Sequence, residues 1–159
     1  MSDSDDKIFR QAFNMLCDEV IGRGMSRTVY SSKLLPDHVI KCETVYGKFQ
    51  NVIEWETWQR VKDTPLSRWF AACKDISGDG SVLIMERTSQ PTPKEFPAQV
   101  PHFLCDFKRK NYGMSAEMRG GAGKRFFVCH DYGTLAFERS LASTANRRMR
   151  KVEWSDLDD

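Results

Sequence analysis

An α+β fold on an antiparallel sheet is what this sequence predicts. Three features predict it: two stretches with apolar residues at helical spacing, short β-branched runs around glycine turns, and one proline-rich segment that no helix or internal strand can cross. Residues 7–20 place Phe9, Phe13, Leu16 and Val20 on one face, which predicts an opening helix. Glycines then interrupt two strand-like stretches between Ile21 and Tyr30, as in a hairpin, and Val39 to Cys42 reads as a third strand after a Leu-Leu-Pro-Asp turn. From Phe49 to Val61 the apolar residues Phe49, Val52, Ile53, Trp55, Trp58 and Val61 return at helical spacing, with Pro65 just beyond, so a second helix is expected. Trp69 to Ile76 and Ser81 to Glu86 flank Ser77-Gly-Asp-Gly80, whose Asp-Gly pair suits a hairpin tip. That makes five strands.

Four of the six prolines lie between Ser89 and Pro101, which predicts a connector. A second hairpin is expected from Tyr112 to Glu117 and Arg125 to His130, around a glycine-rich turn, Arg119 to Lys124. Leu135, Phe137, Leu141 and Met149 lie in an Ala- and Arg-rich stretch expected to be helical, ahead of an acidic tail.

Composition narrows the function classes. A chain of 159 residues has room for one ordinary domain. Its apolar runs are too short to span a membrane, and Met1 to Asp6 is acidic, without the basic start and apolar core of a secretory signal, so a cytoplasmic protein is expected. Five cysteines without a C-x-x-C pair suit free thiols in a reduced compartment. With 24 basic and 22 acidic residues, neither nucleic acid nor an anionic membrane is the default partner.

The chemistry-bearing residues come in an informative order. Gly22 and Gly24 bracket a hairpin turn followed by Ser26 and Arg27; glycines let backbone N–H groups approach phosphate oxygens, although most such pairs are simply turn residues. Lys41 closes the strand Val39-Ile40-Lys41, as a phosphate-binding cation or as an ordinary solvated strand-end lysine. The following helix offers Glu54 and Glu56; Trp58 and Val61 lie four and seven residues after Glu54, which favours Glu54 as the inward one. Met85, Glu86 and Thr88 end the fifth strand, and Ile84 or Met85 suits a pocket wall as well as a strand core. Asp106, Lys108 and Asn111 follow as D-x-K-x-x-N, and Asp131 opens Asp131-Tyr132-Gly133 with a hard carboxylate oxygen suited to Mg²⁺.

This order, over residues 21–133, resembles the protein-kinase fold. The resemblance implies a five-stranded antiparallel N-lobe with one main helix (residues 1–88, with the opening helix), a connector (89–101) and a strongly truncated C-lobe (102–159), since only residues 134–159 follow Gly133. It implies ATP and Mg²⁺ as cofactors, Lys41 on the phosphates, Glu54 holding Lys41, Asp106 on the acceptor hydroxyl, Lys108 steadying the transferring phosphate, and Asn111 and Asp131 on metal. Gly22, Gly24, Ser26, Met85, Glu86 and Thr88 would complete the nucleotide site. The sequence departs from the family at Arg27, where the third glycine of the loop belongs, at Leu104, where a histidine is usual, and at Tyr132, in place of phenylalanine. The overall pattern is similar to short kinase-like proteins of tailed bacteriophages.

Two functions are therefore expected: a minimal phosphotransferase that binds Mg-ATP between the two lobes, or an inactive kinase-fold protein that binds and regulates a partner, in the host cytoplasm if the chain is phage-encoded; a protein partner or a protein substrate is expected beside ATP. Two rival sites remain. His102-x-x-Cys105 with Cys129-His130 offers ligands for zinc, or a Cys/His dyad, and Arg147 to Lys151 offers a basic patch against acidic neighbours.

Overall fold

The computed structural model describes residues 3–116, 123–134 and 148–156, with side chains from Lys7 onward. Helix α1 (Asp3–Leu16) leads into strands β1 (Val20–Arg23), β2 (Arg27–Ser31) and β3 (His38–Glu43). Helix α2 (Gln50–Val61) follows, then β4 (Cys73–Ile76) and β5 (Val82–Glu86). These five strands form one antiparallel sheet in the order β1-β2-β3-β5-β4. Lys41 stands in the middle strand, opposite Val29 on one side and Leu83 on the other.

The hairpin tip between β4 and β5 is held by the Asp79 carboxylate, which accepts from the Ser81 amide at 3.0 Å and from the hydroxyls of Ser77 and Ser81 at 2.8 Å each. These bonds hold the exposed Asp79 carboxyl down to about 2, because all three favour the ionised form.

Several expectations shift. The opening helix ends at Leu16, and Val20 belongs to β1. Its apolar face is largely uncovered: Phe9 is 70% exposed, although Phe13 meets Tyr30 edge-on at 6.1 Å. Trp69 closes a 3₁₀ turn (Pro65–Trp69) rather than opening a strand. The face that α2 buries most deeply carries Asn51, Glu54, Thr57 and Val61, so it is rotated from the purely apolar stripe and leaves Trp55 and Trp58 half-buried.

The proline-rich connector holds a short 3₁₀ turn (Pro93–Glu95) and ends in β6 (Gln99–Pro101). Among the described residues this strand pairs only with β9 (Met149–Lys151), so Pro101 sits in a two-stranded ribbon, where its missing N–H is tolerated. Met149 is therefore in a strand, not a helix; Leu135, Phe137 and Leu141 lie outside the described residues, as do Glu117 and most of the glycine-rich turn. The second hairpin shrinks to β7 (Tyr112–Met114) and β8 (Phe127–Cys129).

The core runs from the sheet through Phe70 to the second hairpin. Ile40, Leu83, Met85, Phe70, Leu104, Val128 and Tyr132 are fully buried, and Phe70 lies edge-on to Tyr132 at 5.0 Å. The Ala71 amide donates to the Cys129 carbonyl at 2.8 Å, tying β8 to the chain that enters β4. Around Trp154 a second aromatic cluster gathers Phe96, Phe107, Tyr112 and Phe127, and the Trp154 Nε1–H donates to the Pro97 carbonyl at 2.8 Å. No helix among the described residues is long and apolar enough to cross a membrane.

Candidate functional site

Four charged side chains from four parts of the chain meet where β3, α2, the start of β2 and the segment after β8 converge. Lys41 Nζ donates to Glu54 Oε1 at 3.1 Å and Oε2 at 3.0 Å, and also to the His130 carbonyl. Arg27 approaches the same carboxylate from the other side: Nη1 donates to Oε2 at 2.8 Å and Nη2 to Oε1 at 3.0 Å. Nη2 also reaches Asp131 Oδ1 at 2.7 Å, and Nη1 reaches Asn51 Oδ1 at 3.2 Å. Glu54 accepts one further bond, from the Tyr132 amide at 3.0 Å. Glu56 is exposed, so the choice between the two helix glutamates falls to Glu54.

Burial decides how strongly these groups depend on one another. Glu54 is fully buried, Lys41 is 4% exposed and Arg27 is 6% exposed. Two cations face two carboxylates, so the quartet is electrically balanced. Burial alone would raise the Glu54 carboxyl, but the charges of Lys41 and Arg27 and their hydrogen bonds outweigh it and hold the group down to about 2. Burial likewise opposes the charge on Arg27, and the Glu54 and Asp131 carboxylates override it, pushing its pKa above the ordinary value. Removing one member of such a group leaves a buried charge uncompensated, which typically costs about 3–5 kcal/mol.

The helix residue Asn51 fixes this arrangement. Its Nδ2 donates to the carbonyls of Lys41 and Ser81 at 3.0 Å each, while its amide N–H donates to Glu43 Oε1 at 2.8 Å. One fully buried side chain thus joins α2 to β3, to the β4–β5 turn and to Arg27. Sequence reasoning missed both Asn51 and Arg27. Asn51 precedes Glu54 by one helical turn, a polar pair on a face assigned to apolar residues, and that was the available signal.

The second half of the site lies on the loop before β7. Asp106 has a positive φ of 54°, a left-handed conformation uncommon outside glycine, and its exposed carboxylate accepts from Asn111 Nδ2 at 2.8 Å through Oδ2. Asn111 is buried, and its carbonyl accepts from the His130 amide at 2.9 Å, so it lies beside the residue preceding Asp131. His130 is gripped at both ring nitrogens. Nε2 lies 2.7 Å from the Lys110 carbonyl and must donate to it, leaving Nδ1 to accept from the Thr88 hydroxyl, also at 2.7 Å. Burial and then the nearby Lys41 charge lower the His130 pKa, which matches this neutral tautomer. Gly133 packs so closely that a Cβ there would lie 3.0 Å from Gln50 Cβ and from the Gln50 carbonyl oxygen.

Other expected residues are committed elsewhere. The buried Ser26 hydroxyl donates to Gln50 Oε1 at 2.6 Å. Glu86 is buried as a structural clamp, accepting from the Ala72 amide at 2.8 Å and the Ser115 hydroxyl at 3.0 Å. Met85 is fully buried in the core, whereas at Lys108 it is the backbone alone that forms the isolated parallel bridge to Ser155. Gly22 and Gly24 have ordinary negative-side backbone angles, and a Cβ at either would make only van der Waals contacts, so the fold itself does not demand glycine there. Compared with known proteins, the chain matches no protein-family model and no curated protein.

The rival metal and nucleophile readings gain no geometry. Among the described residues, no group of three or more His, Cys, Asp or Glu side chains is placed to hold a metal ion. Both His130 nitrogens are engaged, and burial pushes the Cys129 thiol well up, so it remains neutral. A magnesium ion, by contrast, accepts one or two protein oxygens and keeps several waters. Asp131 Oδ2 and Asn111 Oδ1 have no partner among the described residues and belong to that donor class.

Proposed function

We propose that the chain is a minimal kinase-like phosphotransferase that binds Mg-ATP between the five-stranded sheet and the segment carrying Asp106, Asn111 and Asp131. One observation carries this reading: Lys41 of the sheet donates both to Glu54 of the helix and to the carbonyl that precedes Asp131. Mg-ATP would supply the transferable phosphoryl group together with a neutralising divalent charge. Lys41 holds phosphate oxygens while Glu54 orients it, Asp131 and Asn111 offer oxygens to the metal, and Lys108 steadies the phosphoryl group in flight. Asp106 orients the acceptor hydroxyl and receives its proton as the oxygen bonds to the γ-phosphorus, the β–γ bridging bond breaks and ADP departs.

A second reading, a kinase-fold protein that binds and regulates a partner without phosphoryl transfer, draws support from the same lysine. Its three N–H donors are all committed within the protein, two to Glu54 and one to the His130 carbonyl.

Thermal unfolding with ATP and Mg²⁺ tests the proposal. At a ligand concentration about 100 times Kd, the wild type should gain roughly 5–10 °C in Tm, and Lys41→Ala and Asp131→Ala should lose the gain. No shift in the wild type overturns nucleotide binding. Transfer of radiolabelled phosphate, lost in Asp106→Ala, then separates the enzyme from the binding protein.

A further inference from the structure

We infer that Arg27 guards the Asp131 carboxylate, so that a divalent cation binds there poorly until a triphosphate arrives to draw the guanidinium away. The inference rests on the metal-holding role proposed for Asp131. Its basis is the fork of Arg27, whose Nη2 is 2.7 Å from Asp131 Oδ1 while both terminal nitrogens hold Glu54. Asp131 is the one exposed member of the quartet, its side chain 47% exposed against 6% for Arg27, so it is the carboxylate a solvent ion can reach. An ion on Oδ2 would face a fixed positive charge across the same carboxylate, which opposes its binding. The guanidinium is anchored from behind by Glu54 and Asn51 and does not leave without a competing anion. Phosphate oxygens are such competitors, because a planar guanidinium binds phosphate as readily as carboxylate. The site would thus load metal together with nucleotide rather than before it.

Binding of Mn²⁺ alone, read by electron paramagnetic resonance of the free ion, tests this without any turnover. Arg27→Gln should bind Mn²⁺ at least about fivefold more tightly than the wild type, the scale of one partly exposed ion pair, and adding Asp131→Asn should abolish the gain. Arg27→Lys provides a second variant that keeps a cation beside Glu54 without the fork spanning both carboxylates, and it should also bind more tightly. Equal Mn²⁺ affinity in folded wild-type and variant proteins, or a gain that survives Asp131→Asn, overturns the guard. Absence of Mn²⁺ binding in every variant overturns it together with the metal role of Asp131. Nucleotide binding is judged separately, by the ATP-dependent thermal shift of the wild type.

Discussion

Arg27 and Asp131 are 104 positions apart in sequence and 2.7 Å apart in space. Their pairing closes a charged ring in which Glu54 is shared by both cations, and it joins the first hairpin of the sheet to the segment following β8. The same contact that steadies the fold occupies the carboxylate proposed to hold a metal ion.

Acid should reveal Glu54. Its folded-state pKa is depressed to about 2 from an ordinary 4.5, so between these values the unfolded chain binds more protons than the folded one. The resulting stability is complete above about pH 4.5 and lost as the pH falls toward 2, amounting to on the order of 3 kcal/mol. Urea unfolding at a series of pH values should show this slope. Glu54→Gln should flatten it and lower neutral-pH stability by about 3–5 kcal/mol, because two buried cations lose their counter-charge.

The glycine turn should separate folding from binding. A Cβ at Gly22 or Gly24 meets nothing closer than 3.7 Å, and neither residue has a positive φ. Gly22→Ala and Gly24→Ala should therefore change unfolding free energy by less than about 1 kcal/mol. If the turn covers phosphates, both should still weaken ATP binding, measured by calorimetry, because the added methyl groups occupy the space the phosphates approach.

Gly113 and Tyr132 should behave as structural positions. A Cβ at Gly113 would lie 2.4 Å from Thr88 Oγ1 and 3.1 Å from His130 Nδ1, so Gly113→Ala must push apart the Thr88–His130 hydrogen bond. A loss of about 1–3 kcal/mol is expected in chemical denaturation. Tyr132→Phe removes the hydroxyl that donates to the Ala71 carbonyl at 2.7 Å and lies 3.2 Å from Cys73 Sγ. Leaving that buried carbonyl unpaired should cost about 1–3 kcal/mol.

The sequence by itself determined the elements whose signals are local. The sheet strands follow from β-branched runs between turn residues, and α2 from its apolar period; helical spacing favoured Glu54 over Glu56, while its pairing with Lys41 was implied only by the resemblance to protein kinases. Local patterns also misled. Helical spacing in α1 indicated a helix but not whether a partner covers its apolar face, and a strand as short as β9 has too few residues to show alternation.

Only the tertiary structure decided the placement of Arg27, Asn51 and Asp131. An arginine near a glycine turn carries no mark of its destination, since charged residues at such positions are ordinarily solvated. It became buried because folding brings Glu54 and Asp131 within reach of one guanidinium, and that compensation depends on distances between segments remote along the chain. Hydrophobic period is written residue by residue, whereas the balance between desolvation and charge pairing exists only once the partners have met.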